Sequence, residues 1–339
     1  MRCSLMFALA TAVILLPDAG RAQKSAPLAS EPACRTLDLA SINGPMPKDR
    51  NVVVLRWLAT SNFEIAYRDN VFLLDTYFDR TPPARPIGFD FTKMKKATAI
   101  FIGHAHDDHI SDAVAVAAQT GAPVYGGPQS HDFVRTNGLT GTQAILTKGG
   151  ETLKFNGVTV QTMRAHHSIL GPSFQKAGPP FRDMQAALLR PRTEDEQKHQ
   201  QAITTRGSRD PKLAEEGTIA YLFTFDNGYR LYYQDSAGPP TEPQIAFMRT
   251  IPSIDLASIA YAGYLPQQGI DMAMPLIRMV KPRALIANHH DETGGRFNDL
   301  ATEPLFEAVR DELPGTRGFS LLYRSPMCIN TSTKEIFVG

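Results

Sequence analysis

The histidines are the feature of this sequence that most restricts its fold. Apart from His131 and His199, which we expect to be surface or loop residues, every histidine falls into one of three short clusters, at 104–109, 166–167 and 289–290. Each cluster directly follows a run of residues typical of a β-strand. Because the loops at one end of a sheet converge, the clusters predict strands that carry their imidazoles to a common edge.

The strands ahead of these clusters are recognised by their residue patterns. Residues 52–59 and 62–67 alternate as strands do, and residues 97–103 form a near-continuous apolar run of the kind buried on both faces of a sheet. Asn-Gly pairs at 156–157 and 227–228 predict the turns of two β-hairpins. The first of these hairpins ends at the second histidine cluster.

Helical patterns follow the strands in each half of the chain. We expect helices near residues 111–119, 129–136, 271–281 and 304–313. Ser111 has the residue type and position of an N-cap for the first of them. Strands followed by helices in both halves predict an α+β fold, in which two sheets pack together with helices outside.

The chain divides into three parts by composition. Residues 1–22 combine a basic residue, an apolar stretch and small residues suited to a cleavage site, which is the pattern of a secretory signal peptide. Residues 23–50 are predicted to form an extended N-terminal segment, and residues 51–339 one domain with a lid-like insert at about 170–217. The apolar stretch is shorter than the ~20 residues that cross a bilayer. We therefore expect a periplasmic or secreted protein without an integral membrane span.

Two cysteines remain after removal of such a signal, Cys34 and Cys328. An even pair in an oxidising compartment is compatible with a disulfide, which would stabilise the fold by roughly 4–5 kcal/mol on the chain-entropy model. Two unpaired structural thiols are the other possibility. The sequence leaves both open.

The charge balance excludes one class of partner. The chain has 35 basic and 34 acidic residues and a net charge of +1. Nucleic-acid binding usually requires a basic stripe, which this composition does not provide. We expect a small-molecule substrate, and the sequence does not indicate an oligomeric state.

The first histidine cluster has the residue types and spacing of a metal site. His104 and His106 can ligate one ion from the same side of a turn, and Asp108 and His109 point onward to a second ion. Imidazole and carboxylate ligands suit zinc, and also manganese or iron. The predicted cofactors are therefore two divalent ions, with zinc the first choice.

The segment His104-Ala105-His106-Asp107-Asp108-His109, placed after an apolar strand, resembles the signature of the metallo-β-lactamase superfamily. That resemblance implies a four-layer αββα sandwich, and it covers roughly residues 52–300. Residues 55–78 and 254–266 further resemble the branch that contains ascorbate-phosphate lactonase and N-acylphosphatidylethanolamine-hydrolysing phospholipase D. The lid-like insert matches neither of those enzymes well.

The resemblance also implies the remaining ligands. His167, in the segment MRAHHS, matches the next histidine ligand, and His166 is its alternative. Asp235, in LYYQDSAG, matches an aspartate that bridges the two ions. His289, in LIANHHDE, matches the last ligand, and His290 is its alternative.

The implied set forms two metal subsites. Site one consists of His104, His106 and His167, site two of Asp108, His109 and His289, and Asp235 bridges them. Asp108 is also expected to orient the attacking hydroxide and shuttle its proton. Tyr264 is either an oxyanion donor or a half-buried structural tyrosine, and Asp75 either holds a ligand histidine or belongs to a simple turn.

These residues predict a metal-dependent hydrolase that uses a metal-bridging hydroxide to cleave a small ester, lactone or related acyl substrate. The same hydroxide would serve a phosphodiesterase acting on a phospholipid-like or nucleotide-like substrate. That alternative is favoured by the arginines of the insert, Arg182, Arg190, Arg192, Arg206 and Arg209. A non-catalytic periplasmic zinc-binding protein is a third possibility, although structural zinc sites are usually closed by four protein ligands.

Overall fold

The structure is a computed structural model of the 339-residue chain. It describes residues 27–80, 82, 84–168, 191–208, 217–263, 265–293, 296–297 and 299–339. The sequence expectations for the signal at 1–22, for Tyr264 and for Arg182, Arg190 and Arg209 fall outside the described residues.

The described residues form strands and helices throughout the predicted domain. The strands are β1 (Val52–Trp57), β2 (Phe63–Tyr67), β3 (Asn70–Leu74), β4 (Ala99–Phe101), β5 (Val124–Gly126), β6 (Ala144–Leu146), β7 (Thr152–Phe155), β8 (Val158–Ala165), β9 (Thr218–Phe225), β10 (Arg230–Gln234), β11 (Leu256–Ala260), β12 (Ala284–Asn288), β13 (Glu292–Thr293), β14 (Arg296–Phe297), β15 (Arg317–Phe319), β16 (Pro326–Asn330) and β17 (Ile336–Val338). The α-helices are α1 (Asp107–Ile110), α2 (Ala113–Thr120), α3 (Pro128–Thr136), α4 (Glu194–Thr204), α5 (Glu242–Thr250), α6 (Pro266–Val280) and α7 (Glu303–Glu312). Short 3-10 helices lie at Leu28–Ser30, Pro32–Cys34, Ala40–Ile42, Phe91–Lys93 and Gly141–Gln143.

Two large sheets have the same internal plan. The first has eight strands in the order β17-β16-β1-β2-β3-β4-β5-β6, antiparallel as far as β3 and parallel beyond it. The second has seven strands in the order β15-β12-β11-β10-β9-β8-β7, antiparallel from β7 to β10 and parallel beyond. Each half of the chain therefore begins with hairpins and continues with parallel strands, whose crossovers usually contain helices.

The main core lies between the two sheets. Leu55, Ile65 and Phe72 of the first sheet belong to one buried apolar cluster with Phe223 and Leu231 of the second. A further cluster joins α2 and α3 to the outer face of the first sheet, and another joins α5, α6 and α7 to the outer face of the second. The predicted α+β architecture, four layers in the order αββα, is confirmed.

The helix predicted at 111–119 begins differently from the sequence expectation. Ser111 has helical backbone angles, and Asp112 occupies the N-cap position of α2. The Asp112 carboxylate accepts hydrogen bonds from the backbone N–H groups of Phe78 and Asp79, at 2.7 and 2.8 Å, instead of capping its own helix. The helical conformation is interrupted between α1 and α2, where this tertiary contact forms. A local sequence pattern does not reveal such a contact.

The described part of the N-terminal segment forms short 3-10 helices and packs on the first sheet. The buried Glu64 carboxylate of β2 accepts hydrogen bonds from the backbone N–H groups of Ala40 and Ser41, at 2.8 and 2.9 Å. Cys34 and Cys328 form a disulfide, with 6.0 Å between their Cα atoms. Of the two possibilities that the sequence left open, the structure has the bridged one.

Among the described residues, no helix is long and apolar enough to span a membrane.

Candidate metal centre

The strand directions bring the three histidine clusters to one edge of the sandwich. The loop that contains the first cluster follows β4, and the other two clusters follow β8 and β12. In the second sheet β8, β10 and β12 run in the same direction, so their carboxyl ends share an edge. Asp235, directly after β10, lies at that edge as well. The strand directions thus align the residues of the second sheet, and the packing of the two sheets adds the first cluster, with Gly103 directly against the Asp235 carboxylate.

His104, His106 and His167 form the first group of possible metal ligands, with one ligand atom of each within 4.8 Å of the others. Nε2 of His104 lies 2.9 Å from Nδ1 of His106, and the His167 ring centroid is 4.6 Å from both rings. Nδ1 of His167 faces the Ser168 carbonyl oxygen at 2.8 Å, so it carries the proton and leaves a lone pair on Nε2.

The neighbouring His166 lies apart from this group. Its Nδ1 faces the carbonyl oxygen of Pro239 at 3.1 Å on the exposed side of the loop. We expect His167→Ala to lower zinc content by one ion, because site one then loses one of its three imidazoles, and His166→Ala to keep the zinc content of the unaltered protein. Elemental analysis of both variants after dialysis against limiting zinc makes the comparison. Loss of an ion from His166→Ala alone would reverse the assignment within the pair.

Asp108, His109 and His289 form the second group, again within 4.8 Å of one another. Nδ1 of His109 donates to Oδ2 of Asp75 at 2.7 Å, and Nδ1 of His289 donates to the Glu292 carbonyl oxygen at 2.7 Å. The two Nε2 atoms then face each other at 3.2 Å. Two nitrogen lone pairs repel at this distance unless a proton or a metal cation lies between them, so the geometry fits a cation site.

His290, the alternative to His289, points elsewhere. Its ring stacks on Trp57 with 4.6 Å between centroids, and it is buried against the sheet. His289 itself has φ +60°, a left-handed conformation that is costly for a residue with a side chain. Its backbone N–H donates to the carbonyl oxygen of Thr60, which also has positive φ, so two unfavourable conformations support each other at this edge.

Asp235 belongs to a third group, with His104 and His109. Its Oδ2 lies 2.5 Å from Nδ1 of His104 and 3.3 Å from Nδ1 of His109, while its buried Oδ1 has no hydrogen-bond partner among the described residues. Oδ2 therefore orients the His104 ring, and it also lies close to His109, whose Nδ1 proton is directed to Asp75. The bridging role that the sequence implies for Asp235 stays a prediction.

Two residues behind the histidines, Asp75 and Gly103, support the site, and the sequence indicated only Asp75. Asp75 lies at φ +52° after β3, and its carboxylate accepts from His109, from the Tyr233 hydroxyl and from the Gly103 N–H. It thus contacts a histidine of the site, as one of its two sequence alternatives supposed. A Cβ on Gly103 would lie 2.0 Å from Cγ of Asp235, so only glycine fits between β4 and His104.

Burial and neighbouring charges set the protonation of these groups. Burial, together with the charges of His104 and His167, lowers the pKa of His106 to about 2, and burial also lowers the pKa of His167. Burial opposes ionisation of Asp108, but His109 and His289 hold its pKa well below its ordinary value. The site therefore offers neutral imidazoles and an ionised carboxylate, which are the forms that bind a divalent cation.

His289 is the exception among the imidazoles. Burial lowers its pKa, but the hydrogen bond to Asp108 and the charge of that carboxylate raise it, so the net pKa is about 9. Nε2 of His289 lies 3.5 Å from Oδ2 of Asp108. The proton thus lies between Nε2 of His289 and the Asp108 carboxylate, the two groups that would hold a cation there. Binding of a cation there would release this proton.

The described arginines of the insert form hydrogen bonds and ion pairs with other groups of the protein. Arg206 contacts the carboxylates of Asp79 and Asp112, at 2.5 and 3.2 Å, and Nε of Arg192 donates to the carbonyl oxygen of Pro82 at 2.6 Å. His199, which we expected to be a surface or loop residue, lies on the surface of α4, and its Nε2 is 2.7 Å from Oδ1 of Asp79. These bonds dock residues 191–208 beside the loop of the first histidine cluster.

The chain is similar to curated proteins described as metal-dependent hydrolases. The chain is 23% identical over 278 residues to a UPF0173 metal-dependent hydrolase of Myxococcus xanthus, covering 82% of this chain and 81% of the relative. It is 21% identical over 252 residues to one of Cupriavidus metallidurans, covering 73% and 72%. No family model matches the chain. Neither relative bears a name of the lactonase and phospholipase D branch, so that finer resemblance stays a prediction.

A solved structure has a similar fold. Igni18, described as a metallo hydrolase from the archaeon Ignicoccus hospitalis, matches 82% of this chain and 98% of its own chain, with a TM-score of 0.56 and 16% sequence identity. At this identity the likeness concerns the fold alone. Together with the two-sheet architecture, it confirms the predicted metallo-β-lactamase fold.

Proposed function

We propose that this metal-dependent hydrolase of the metallo-β-lactamase superfamily is an exported enzyme that cleaves a small ester, lactone or related acyl substrate at a two-metal centre. The observation that carries the proposal is the linkage of the ligand groups. Three residues form one possible metal site and three others form a second, and the group of His104, His109 and Asp235 shares a histidine with each of them. A structural zinc site would need only one closed set of four ligands.

The donor set suits two zinc ions: His104, His106 and His167 would hold one, and Asp108, His109 and His289 the other, with Asp235 beside His104 of the first group and His109 of the second. When bound, such ions supply an activated water nucleophile at neutral pH and polarise the substrate oxygen that is attacked.

The protein's own groups orient the site and move protons. Asp75 fixes the tautomer of His109, and the Glu292 carbonyl oxygen holds the Nδ1 proton of His289, so Nε2 of each ring is the nitrogen directed into the site. Nε2 of His289 becomes available to a cation when its own proton is released. Asp108 is ionised and only 6% exposed, with both carboxylate oxygens beside the imidazoles of site two. It can accept the proton of the attacking water and return it to the leaving oxygen.

Export is supported by two independent features. The sequence of residues 1–22 has the pattern of a secretory signal, and Cys34 and Cys328 are bridged. Structural disulfides persist in oxidising compartments and are rare in the cytosol. We therefore propose a periplasmic or secreted location for the mature chain.

The acyl substrate is favoured over the phosphodiester by the contacts of the two insert arginines that the structure describes. Arg192 and Arg206 were reasons to expect an anionic substrate, but both donate to groups of the protein. Their guanidinium groups are therefore not held ready for a phosphate. The resemblance of residues 55–78 to a branch that includes a lactonase points in the same direction.

The test is a comparison of initial rates for the zinc-loaded mature protein on a simple γ-lactone and a simple phosphodiester, side by side. We expect hydrolysis of the lactone to be faster and to disappear after chelation and return with zinc. A chelator-sensitive preference for the phosphodiester would overturn the substrate proposal while keeping the metal-dependent mechanism. Stoichiometric zinc binding without turnover of either substrate class would instead support a zinc-binding protein.

A further inference from the structure

A buried charged network lies directly behind His289. It consists of Arg80, Asp291, Glu292, Tyr77 and Tyr323, and we call it the Arg80 network. The side chains of Arg80, Asp291 and Glu292 are 5%, 0% and 1% exposed. Two carboxylates side by side in such a place are costly unless a cation compensates them. Neither the metal ligands nor the proposed proton transfer accounts for this network.

Arg80 compensates both carboxylates with one guanidinium group. Its Nη2 donates to Oε2 of Glu292 at 2.7 Å and lies 3.0 Å from Oδ2 of Asp291. Its Nη1 donates to the Tyr323 hydroxyl at 2.8 Å, and that hydroxyl donates in turn to Oδ2 of Asp291. The planar, forked group reaches two carboxylates at once, which a lysine ammonium does not reproduce.

The other oxygens of the two carboxylates are also occupied. Oε1 of Glu292 accepts from the Tyr77 hydroxyl at 2.9 Å, and Oδ1 of Asp291 accepts from the Thr60 N–H at 3.0 Å. All four carboxylate oxygens are therefore hydrogen-bonded. A buried network that is satisfied in this way holds its backbone in one position.

The network reaches His289 through the backbone on both sides of the ring. Nδ1 of His289 donates to the carbonyl oxygen of Glu292 at 2.7 Å, and the His289 N–H donates to the carbonyl oxygen of Thr60 at 2.8 Å. Thr60 is itself bound to Asp291. The left-handed backbone of His289 is thus held between two residues that depend on the Arg80 network.

We propose that Arg80 is a positioning residue for His289, which fixes the direction of its Nε2 by holding the Asp291–Glu292 segment in place. The proposal rests on the assignment of His289 as a ligand of site two under the proposed function. It predicts that weakening the network loosens the ion at site two and leaves the His104, His106 and His167 site unchanged. A merely structural role would weaken the whole fold without choosing between the two ions.

The test compares Arg80→Lys with Arg278→Lys. Arg278 is a matched control, because it also pairs bidentately with a carboxylate, that of Glu312, but on the exposed surface between α6 and α7. Competition titration with a chromophoric chelator is expected to show one ion of Arg80→Lys bound ~10–100-fold more weakly, the usual effect of losing an outer partner of a ligand, and the other ion unchanged. Arg278→Lys should bind both ions as the unaltered protein does.

A second readout does not depend on metal. In the metal-free protein, the Nδ1 proton of His289 should give a protected NMR resonance, identified by its absence from His289→Gln. We expect this proton to exchange at least ~10-fold faster in Arg80→Lys and at the unaltered rate in Arg278→Lys, because a buried proton exchanges only when its surroundings open locally.

If Arg80→Lys fails to fold, Arg80→Met combined with Glu292→Gln removes one charge of each sign and is tested in the same way.

The outcomes separate the two proposals. Unchanged affinity for both ions and unchanged proton exchange in a folded Arg80 variant would overturn the positioning role. Equal weakening of both ions would also overturn it, in favour of a general structural role. A third outcome is that the His289 proton exchanges faster in a folded Arg80 variant, while the protein binds no second ion. This outcome would support the positioning role and count against the proposed two-metal function.

Discussion

Replacement of Asp108 by asparagine is expected to lower hydrolysis by more than ~100-fold and to remove one of the two metal ions. Loss of an outer partner of a ligand typically costs 10–100-fold, so loss of a charged ligand should cost more. The carboxylate is ionised, almost fully buried and within 3.8 Å of Nε2 of both His109 and His289. Asparagine keeps the shape of the side chain but provides neither the negative charge nor a proton acceptor.

The adjacent Asp107 provides the matched control. It is also buried and lies in α1, but it belongs to none of the possible ligand groups among the described residues. Asp107→Asn should therefore keep two ions and a rate within a few-fold of the unaltered enzyme. Steady-state rates and metal content of the two variants, measured at equal zinc activity, give the comparison. Two bound ions together with an unaltered rate in Asp108→Asn would remove Asp108 from both of its proposed roles.

The ligand groups were accessible from the sequence because each depends on local patterns. A strand is recognised by its apolar residues and a hairpin by its Asn-Gly turn, and the polar residue after each strand must lie at a sheet edge. His104, Asp235 and His289 all have this relation to β4, β10 and β12. The directions of the strands, which follow from the hairpins and crossovers, then bring these residues together.

The choice within each histidine pair depended on contacts that the sequence does not contain. Adjacent side chains point to different sides of the backbone, so the structure separates His167 from His166 and His289 from His290. The resemblance to a known family suggested the choice, but the reason for His289 lies in the Thr60 turn and the Asp291–Glu292 segment. Those contacts join residues more than two hundred positions apart.

The beginning of α2 also depends on a tertiary contact that the local sequence does not predict. Ser111 satisfies the local rule for an N-cap, yet the helix starts after Asp112, whose carboxylate binds the backbone of the loop after β3. This loop also carries Asp75 and Arg80, which support His109 and the segment after His289. Tertiary bonds from one loop therefore override a helix signal and hold two of the candidate ligands in place.

Removal of the disulfide is expected to lower the free energy of unfolding substantially while leaving the metal centre intact. The bridge closes a loop with a sequence separation of 294 residues, the kind of long closure for which the chain-entropy model gives roughly 4–5 kcal/mol. Cys34 and Cys328 belong to an apolar cluster that contains none of the proposed metal ligands. The Cys34→Ala/Cys328→Ala variant should therefore bind the same two ions and unfold at a lower urea concentration.

The loss should come mainly from the unfolded chain, which the bridge keeps compact. Urea unfolding of the unaltered protein after reduction should then approach that of the double variant, and reductant should leave the double variant unchanged. The slope of the transition should also be larger without the bridge, because the unfolded chain then exposes more surface. A midpoint that does not move, in the variant or after verified reduction, would mean that the native fold gains nothing from this cross-link and would weaken the case for export.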